Sequence, residues 1–469
     1  MKWEVVMGLE VHAELSTASK IFCGCSTAFG APPNTHVCPV CSGMPGALPK
    51  LNRAVVEYAM RLGLALGCEI ARDCKFDRKN YFYPDLPKAY QVSQLYAPIC
   101  QGGCMDIGGK RVGIREIHME EDAGKLIHGP WNCTSMDFNR CGVPLLEIVT
   151  LPDFRRAEEV LAYLEQLRDT LLYLGVCDCK MQEGSLRCDV NLSVRRAGDS
   201  ALGVKTETKN LNSFKAIGRA IAYEAERQIE RLERGGRVVQ ETRRWDDDQG
   251  GSYGMRSKEN AQDYRYFPEP DLLPVRIDEA WLARVKNSLP ELAPQKRERY
   301  VRDYGLSEYD AKLITSHKNI SGLFEAVAGR SAPLEAAHLV TGEIMRLMNA
   351  TSALPEDLAL DPAKLAALIA LVADGKINRG AYKQAVEAVY TRGVDPEEYI
   401  DANGLRMASD EDAVAKAVEA ALENNPNAVA DYRAGQAKAF GFLMGQVMRQ
   451  LGKAGNPEAV RRMLGRRLE

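Results

Sequence analysis

The sequence predicts an α+β region with a mainly antiparallel sheet, followed by an all-α region. Three observations support this. Before about residue 290, apolar and polar residues alternate with a period of two, as in Leu186, Cys188 and Val190, which is typical of half-buried strands. Helical patterns interrupt this region only twice in a clear form. After Pro290, strand-like segments cease and helical patterns with turns continue to the end of the chain. The 469 residues suffice for two or three domains.

In the first region, strands are predicted at residues 3–11, 112–118, 145–150 and 186–194. Helices are predicted at 157–174 and 214–233. Asn212 and Ser213 are candidate N-caps for the second helix, and Gly235 follows its end. A run of strands with few helices favours an α+β fold with an antiparallel sheet.

The helical region changes in composition near residue 405. We therefore expect three domains, at residues 1–290, 291–405 and 406–469. From Asp431 onward, eight lysines and arginines face three acidic residues. This local basic excess favours either a solvated helix face or a surface for an anionic partner.

The overall composition is that of an ordinary globular protein, with 45% apolar and 27% charged residues. A formal net charge of −3 means that any nucleic-acid-binding surface must be local. The thirteen cysteines, an odd number without a signal peptide before them, predict a reducing, cytoplasmic environment. There is no apolar run of eighteen residues, so we expect no membrane segment.

Two close cysteine pairs, Cys23/Cys25 and Cys38/Cys41, flank a loop that contains glycine and proline. This spacing matches tetrahedral zinc. Four thiolates leave no open coordination position, so such a zinc ion would be structural. The alternative is four buried or oxidised cysteines. The pairs Cys100/Cys104 and Cys177/Cys179 indicate either a further metal site or a chance spacing.

Common nucleotide-binding motifs are absent from the sequence. There is no G-x-x-x-x-G-K-[ST] string and no G-x-G-x-x-G string opening a helix after a strand. A G-x-S-x-G string at residues 250–254 follows three aspartates rather than an apolar strand, and we expect it to form a loop.

Acidic residues and a histidine suggest a cation site. Glu10, His12 and Glu14 alternate, so a strand would place them on one face. Glu147 interrupts an apolar run, where an ionised carboxylate is costly unless it is paired. With Glu121, the residues Glu10, His12 and Glu147 could bind Mg²⁺ or, because of the imidazole, Mn²⁺. For each residue taken alone, a surface charge or a buried salt bridge is the favoured explanation.

Basic and aromatic residues alternate at 76–91, which suits phosphate contacts and stacking on a ring, although an aromatic surface loop would show the same pattern. Arg78, Lys79 and Lys88 are its cations. Further along, Lys209 and Asn210 precede a predicted helix whose exposed N–H groups could bind an anion; plain N-capping is the alternative.

Seven segments together resemble the GatB family, one component of the tRNA-dependent amidotransferase complex GatCAB. They are GLEVHAEL at 8–15, FDRKNYFYPDLPKAYQVSQ at 76–94, HMEEDAGK at 118–125, PLLEIV at 144–149, EGSLRCDVN at 183–191, KNLNSF at 209–214 and DYRYFPEPDL at 263–272. The resemblance implies an N-terminal cradle domain, a helical domain and a small helical tail similar to YqeY proteins.

The resemblance implies an ATP-dependent carbon–nitrogen ligase. It would phosphorylate the side-chain carboxylate of misacylated Glu-tRNA(Gln) or Asp-tRNA(Asn), and ammonia from glutamine would then give Gln-tRNA or Asn-tRNA. The implied partners are the amidase GatA, which supplies the ammonia, and the small protein GatC. The implied cofactors are ATP and Mg²⁺ or Mn²⁺, and the cysteines add a structural Zn²⁺.

The resemblance also assigns residues. Glu10, His12, Glu121 and Glu147 would hold the divalent cation. Lys79 and Asp189 would be catalytic, and the nucleotide or acyl substrate would contact the set Arg78, Lys88, Lys209, Asn210, Asn212 and Ser213. Arg461, Arg462, Arg466 and Arg467 would contact tRNA phosphates. The competing hypothesis is a zinc-containing tRNA-binding scaffold without chemistry, which leaves Glu147 and the acidic 118–125 segment unexplained.

Overall fold

The computed structural model describes residues 3–130, 133–257, 264–407, 411–452 and 457–468. They form two compact units, Met1–Leu292 and Ala293–Glu469. The prediction of a mainly antiparallel α+β region followed by helices is confirmed. The division at residue 405 stays a prediction. Among the described residues, no helix combines the length and the apolar character that a membrane-spanning segment needs.

The first unit contains all the strands that the structure describes. They are β1 Trp3–Glu14, β2 Glu69–Ile70, β3 Asp73–Cys74, β4 Asp77–Asn80, β5 Tyr90–Ser93, β6 Cys100–Gln101, β7 Cys104–Ile107, β8 Lys110–Glu121, β9 Lys125–His128, β10 Thr134–Asp137, β11 Pro144–Thr150, β12 Leu186–Arg196, β13 Thr206–Lys209, β14 Glu241–Asp246, β15 Gly251–Ser257, β16 Phe267–Pro268 and β17 Val275–Arg276. Its helices are α1 Arg53–Ala65, α2 Ala157–Leu174, α3 Phe214–Glu233 and α4 Glu279–Asn287.

The main sheet runs in the order β15-β14-β13-β12-β1-β11-β8-β6-β2, with β7 added beside β8. All its pairs are antiparallel except β13 with β14. The string at residues 250–254, expected to be a loop, instead enters strand β15, because pairing with β14 satisfies its backbone. The prediction of a loop there was wrong.

One face of the sheet is apolar and one is polar, and β1 shows this clearly. Met7, Leu9 and Val11 are buried in the main core, whereas Glu10 and His12, which alternate with them along the strand, are only half-buried. The helices α1, α2 and α3 contribute to the same core through their apolar faces. The opposite face of the central strands is therefore left to charged side chains.

The second unit is helical throughout its described residues. Its helices are α5 Ala293–Tyr304, α6 Glu308–Ile314, α7 Lys318–Ala328, α8 Pro333–His338, α9 Met345–Thr351, α10 Pro362–Ala373, α11 Arg379–Arg392, α12 Pro396–Ala402, α13 Glu411–Asn424, α14 Pro426–Arg433, α15 Ala437–Leu451 and α16 Pro457–Leu468. A π-helix, Leu339–Ile344, links α8 to α9, and a 3-10 turn, Pro355–Asp357, precedes α10.

The apolar side chains of the second unit form two separate clusters. One lies among α5 to α12 and includes Phe324 and Leu365. The other lies among α13 to α16 and includes Val418 and Leu464.

Candidate functional site

A polar cavity of about 320 Å³ lies over the central strands of the main sheet. Its carboxylates are Glu10, Glu120, Asp122, Glu147 and Glu207. Its basic side chains are His12, Lys79, Arg187 and Lys209. Many charges thus share a small volume, an arrangement that is costly unless they pair with one another or bind ions. We call this cavity the sheet-face pocket.

The strand register explains why these residues meet. In the antiparallel ladder, His12 lies opposite Arg187 on one side and opposite Glu147 on the other. Two residues along β1, Glu10 lies opposite Asp189. Directly opposed residues share a face and lie close together, so three strands that are distant in sequence, β1, β11 and β12, supply one surface.

His12, Glu120 and Glu147 form the first cluster. One ligand atom from each can be chosen so that all lie within 4.8 Å of one another. Burial lowers the pKa of His12, which favours the neutral imidazole that a metal requires. Burial and the neighbouring Glu147 raise the pKa of Glu120. Burial also opposes ionisation of Glu147, but the hydrogen bond from Glu120 and the nearby imidazole outweigh it and lower its pKa. The two neighbouring carboxyls therefore have pKa values shifted in opposite directions, which favours the charged form of Glu147 and the neutral form of Glu120.

Glu121 does not join this cluster, which corrects the expected set of ligands. It lies opposite Pro144, out of phase with Glu147, so its side chain leaves the sheet on the other face. There its carboxylate contacts Lys88 and accepts a hydrogen bond of 2.9 Å from the backbone N–H of Val92. Glu120, its neighbour in the sequence, occupies the place expected for Glu121.

Glu10 belongs to a second cluster with Asp189 and Glu207. Glu10 lines the same cavity as His12 and Glu147, and the expected site of Glu10, His12 and Glu147 stays a prediction. Lys209 Nζ contacts the carboxylates of both Asp189 and Glu207, the latter at 3.4 Å. Burial, followed by the carboxylates of Glu147 and Glu207, raises the pKa of Glu10.

Lys79 lines the same pocket, near the carboxylates of the first cluster. Burial disfavours its charge, but the carboxylates of Glu120 and Glu147 and two tyrosine rings outweigh this and raise the pKa of the ammonium. Its Nζ lies 5.0 Å from the ring centroid of Tyr264. Tyr81 packs edge-on against Tyr264, at 5.8 Å between centroids. These two rings cover Lys79 with an aromatic wall.

Arg78 and Lys88, expected to contact nucleotide, are occupied elsewhere. Arg78 makes two hydrogen bonds of 2.7 and 2.8 Å to Glu269, whose side chain is only 1% exposed. Arg78 also lies 4.3 Å from the centroid of the Tyr90 ring. Lys88 contacts Glu121. Neither lines the sheet-face pocket.

The residues just before α3, at 210–213, mainly make local backbone contacts. Ser213 caps the helix by accepting a hydrogen bond of 3.0 Å from the backbone N–H of Ala216. The amide of Asn210 donates to the backbone oxygen of Trp245 at 2.9 Å. Asn212 is exposed. Of the six residues expected to contact nucleotide or acyl substrate, only Lys209 lines the pocket.

The four cysteines of the first motif converge. All four Sγ atoms lie within 4.8 Å of one another, those of Cys23, Cys25, Cys38 and Cys41. Hydrogen bonds from Cys23 and the Cys38 backbone, assisted by the charge of Lys20, overcome burial and lower the pKa of Cys41 to about 4. Lys20 is fully buried and donates to Cys41 Sγ at 3.5 Å and to the His36 carbonyl at 2.7 Å.

The remaining cysteine pairs do not form such a group. Neither Cys100/Cys104 nor Cys177/Cys179 belongs to a cluster of three or more candidate ligands within the part of the chain that the structure describes. This arrangement favours chance spacing.

The four arginines at the end of the chain share one exposed side of α16. Arg461, Arg462, Arg466 and Arg467 are exposed, whereas the residues between them that face the other way pack into the core of α13 to α16. Arg467 pairs with Glu419 at 2.7 Å.

The sequence prediction gives no role to Glu120, Glu207 and Tyr264, which line the pocket. Arg187, which also lines it, shows in the sequence only an alternation with Asp189 and Asn191 on one strand face. Glu120 and Tyr264 lie inside segments that had been singled out, and Glu207 lies two residues before Lys209 on β13. The structure explains the place of Glu120, because it shares the strand parity of His118, which lies opposite Glu147; this pairing could not be read from the sequence. Asp263, the first residue of the segment that carries Tyr264, lies outside the described residues.

Comparisons with known proteins agree on one protein family. Residues 5–283 match the family model described as the GatB/GatE catalytic domain, and residues 322–468 match the one described as the GatB domain. The chain is 55% identical to the B subunit of the aspartyl/glutamyl-tRNA(Asn/Gln) amidotransferase of Lachnoclostridium phytofermentans over 98% of each chain. It is 54% identical to the protein of the same description from Caldicellulosiruptor bescii over the full length of both.

Proposed function

The chain belongs to the GatB family of tRNA-dependent amidotransferase subunits, and on this premise we propose that the sheet-face pocket is the site of its ATP-dependent step. The family converts misacylated Glu-tRNA(Gln) and Asp-tRNA(Asn) into Gln-tRNA(Gln) and Asn-tRNA(Asn). The complex is an ATP-dependent ligase with glutamine as amido donor, in which this chain works with GatA and GatC.

The convergence of His12, Glu120 and Glu147 in a pocket that Lys79 also lines is the observation that supports this location. A carboxylate reacts with ammonia only after its oxygen becomes a good leaving group, and phosphorylation by ATP achieves this. Two anions, the carboxylate and the triphosphate, must then approach each other. A pocket that performs this reaction needs concentrated positive charge and little water.

The donor set fits a hard divalent cation. Two carboxylates and a neutral imidazole suit Mg²⁺ or Mn²⁺, and His12, Glu120 and Glu147 would hold the ion. Glu10, in the neighbouring cluster, is close enough to Glu147 to share its field. When bound, such an ion offsets the charge of the phosphates.

The side chains of the pocket have separate tasks. The ammonium of Lys79 presents positive charge near Glu120 and Glu147, and it would stabilise the transferring phosphoryl group. Tyr81 and Tyr264 cover this ammonium and would limit access of water to the acyl phosphate. Asp189 holds the Lys209 ammonium at the floor of the pocket and would orient it toward the substrate.

Outside the pocket, we assign a structural zinc to Cys23, Cys25, Cys38 and Cys41, because four converging sulfurs form a closed tetrahedral set. The helices from residue 406 onward would form a tRNA-binding tail through the arginines of α16. The thirteen free cysteines and the tRNA substrates favour a cytoplasmic location.

The test is reconstitution with GatA and GatC on each misacylated tRNA. We expect ATP consumption that depends on Glu-tRNA or Asp-tRNA, and formation of the amidated product. Glu147→Gln should abolish both while glutamine hydrolysis by GatA continues. If the wild-type complex binds tRNA without consuming ATP, the chain is a scaffold and the proposal fails.

A further inference from the structure

We propose that Arg187 binds the side-chain carboxylate of the aminoacyl group, the anion that is to be amidated. This assignment rests on the proposed function of the sheet-face pocket and names the residue that recognises its substrate. Four observations support it: the accessibility of the guanidinium, its anchoring, its place in the strand register, and its planar shape, which the other cations of the pocket lack.

Arg187 is anchored and yet open to the pocket. Its Nη2 donates to Asp122 Oδ2 at 2.6 Å. The side chain keeps 36% of its surface exposed, and it lines the cavity. The Nε atom is buried and has no hydrogen-bond partner within the described part of the chain. A buried donor without a partner is unfavourable. Because Nε is buried, a ligand in the pocket would be bound by the terminal nitrogens of the guanidinium.

The anchor itself is rigid. Asp122 is 5% exposed, receives a hydrogen bond of 2.8 Å from the backbone N–H of Ala123, and lies 3.4 Å from Arg140. The ionised carboxylate is therefore held from several sides and fixes the guanidinium plane. Arginine presents its donors as a planar fork, which matches the two oxygens of a carboxylate better than an ammonium does.

The register places Arg187 beside the reaction centre. It lies directly opposite His12 on β1, and His12 lies opposite Glu147 on β11. Opposed residues in an antiparallel pair have Cβ atoms about 4.5–5.5 Å apart. A carboxylate on Arg187 would thus lie next to the cluster of His12, Glu120 and Glu147, where the phosphoryl group of ATP would arrive.

The other two cations have different surroundings. Lys209 contacts two carboxylates, Asp189 and Glu207. Arg187 also lies beside two, Asp122 at 2.6 Å and Glu14 at 3.9 Å. Lys79 lies near Glu120 and Glu147, which suits a phosphoryl group held near a cation. Among the cations that line the pocket, Arg187 alone offers a planar fork, so it is the one suited to the substrate carboxylate.

The experiment compares the affinities of the reconstituted complex for Glu-tRNA(Gln) and Gln-tRNA(Gln) without ATP. These two ligands differ only in that one carries the carboxylate. We expect the wild type to prefer Glu-tRNA, and Arg187→Gln to reduce this preference by about 10-fold or more while the affinity for Gln-tRNA stays the same. Arg187→Lys, which keeps the charge without the fork, should give an intermediate preference.

The matched control is Arg195→Gln on the same strand, where Arg195 pairs with Glu4 at 2.6 Å outside the pocket. It should leave the preference unchanged. An equal loss of affinity for both tRNAs in Arg187→Gln, an unchanged preference, or a wild type without preference would each overturn the assignment. So would an effect confined to the KM for ATP. A failure of the proposed function is separate, since the Glu147→Gln complex would then still consume ATP and form amidated tRNA.

Discussion

Glu120 and Glu121 are neighbours in the chain, but their carboxylates lie on opposite faces of the sheet. Glu120 faces His12 and Glu147 in the sheet-face pocket, whereas Glu121 contacts Lys88 beside the four-cysteine site. The first is placed to hold a cation, and the second is neutralised by a lysine. Substitution of each residue in turn should therefore affect metal binding differently.

Glu120→Gln should weaken binding of Mn²⁺, used as a probe by electron paramagnetic resonance, by about 10-fold or more, because it removes one charged ligand. The substituted amide can still donate to Glu147, so the fold is retained. Glu121→Gln is the matched control and should change Mn²⁺ affinity little. Equal losses in both variants would contradict the division of the two faces.

Removal of Cys38 and Cys41 together, as serines, should abolish bound zinc and lower the melting temperature, since the metal is part of the folding free energy at such sites. Zinc content is measured by elemental analysis of the purified complex. Cys177→Ser with Cys179→Ser is a control that also perturbs buried thiols, and it should keep its zinc. Zinc retained without Cys38 and Cys41 would refute the site.

Arg78 should act through Glu269 rather than on nucleotide. Glu269 lies in the segment that also carries Tyr264, and Phe267 in that segment pairs with Arg78 in the β4–β16 ladder. Breaking a buried ion pair is destabilising by about 3–5 kcal/mol. We therefore expect Arg78→Lys and Glu269→Gln to reduce stability and kcat in denaturation and turnover assays, with little change in KM for ATP. A large rise in that KM at full stability would restore the nucleotide role.

Glu159 should stabilise the protein in a pH-dependent way. Its carboxylate accepts hydrogen bonds from Lys110 at 2.6 Å and from the backbone N–H of Arg155 at 2.8 Å. Although burial opposes ionisation, these contacts lower its pKa from 4.5 to about 2. The stabilisation is complete above about pH 4.5 and is lost as the pH falls through about 2.

Glu159→Gln should therefore cost about 1–3 kcal/mol at pH 7, measured by urea denaturation, and less at pH 3. Glu165→Gln, exposed on the same helix, should change the free energy of unfolding by less than about 0.5 kcal/mol. If the difference in the free energy of unfolding between Glu159→Gln and the wild type grows toward pH 3, the predicted pH dependence has the wrong sign.

The arginines of α16 should account for much of the salt dependence of tRNA binding. Replacing Arg461, Arg462, Arg466 and Arg467 by glutamine should weaken tRNA binding. The slope of log affinity against log salt concentration should become less negative by about three. Arg330→Gln with Arg392→Gln, exposed arginines of the preceding helices, should have a smaller effect. An unchanged slope in the fourfold variant would leave these arginines as a solvated face.

Local patterns in the sequence predicted the regular elements well. The helices at 157–174 and 214–233 have the predicted bounds, since capping residues and apolar spacing are properties of adjacent residues. The helices α14 and α15 are separated at Gly435, which has a φ of +91°. A glycine in that conformation ends a helix, which apolar spacing alone does not reveal.

The sequence by itself determined the α+β class, the family and the residue types of the candidate site, because these follow from composition, periodicity and local motifs. Only the tertiary structure decided that Glu120 and not Glu121 faces His12, that Glu10 joins Asp189, and that Arg187 lies opposite His12. A shift of one residue in strand pairing moves a side chain to the other face. That pairing depends on strands far apart in the chain, so the sequence could name the charges without stating which of them meet.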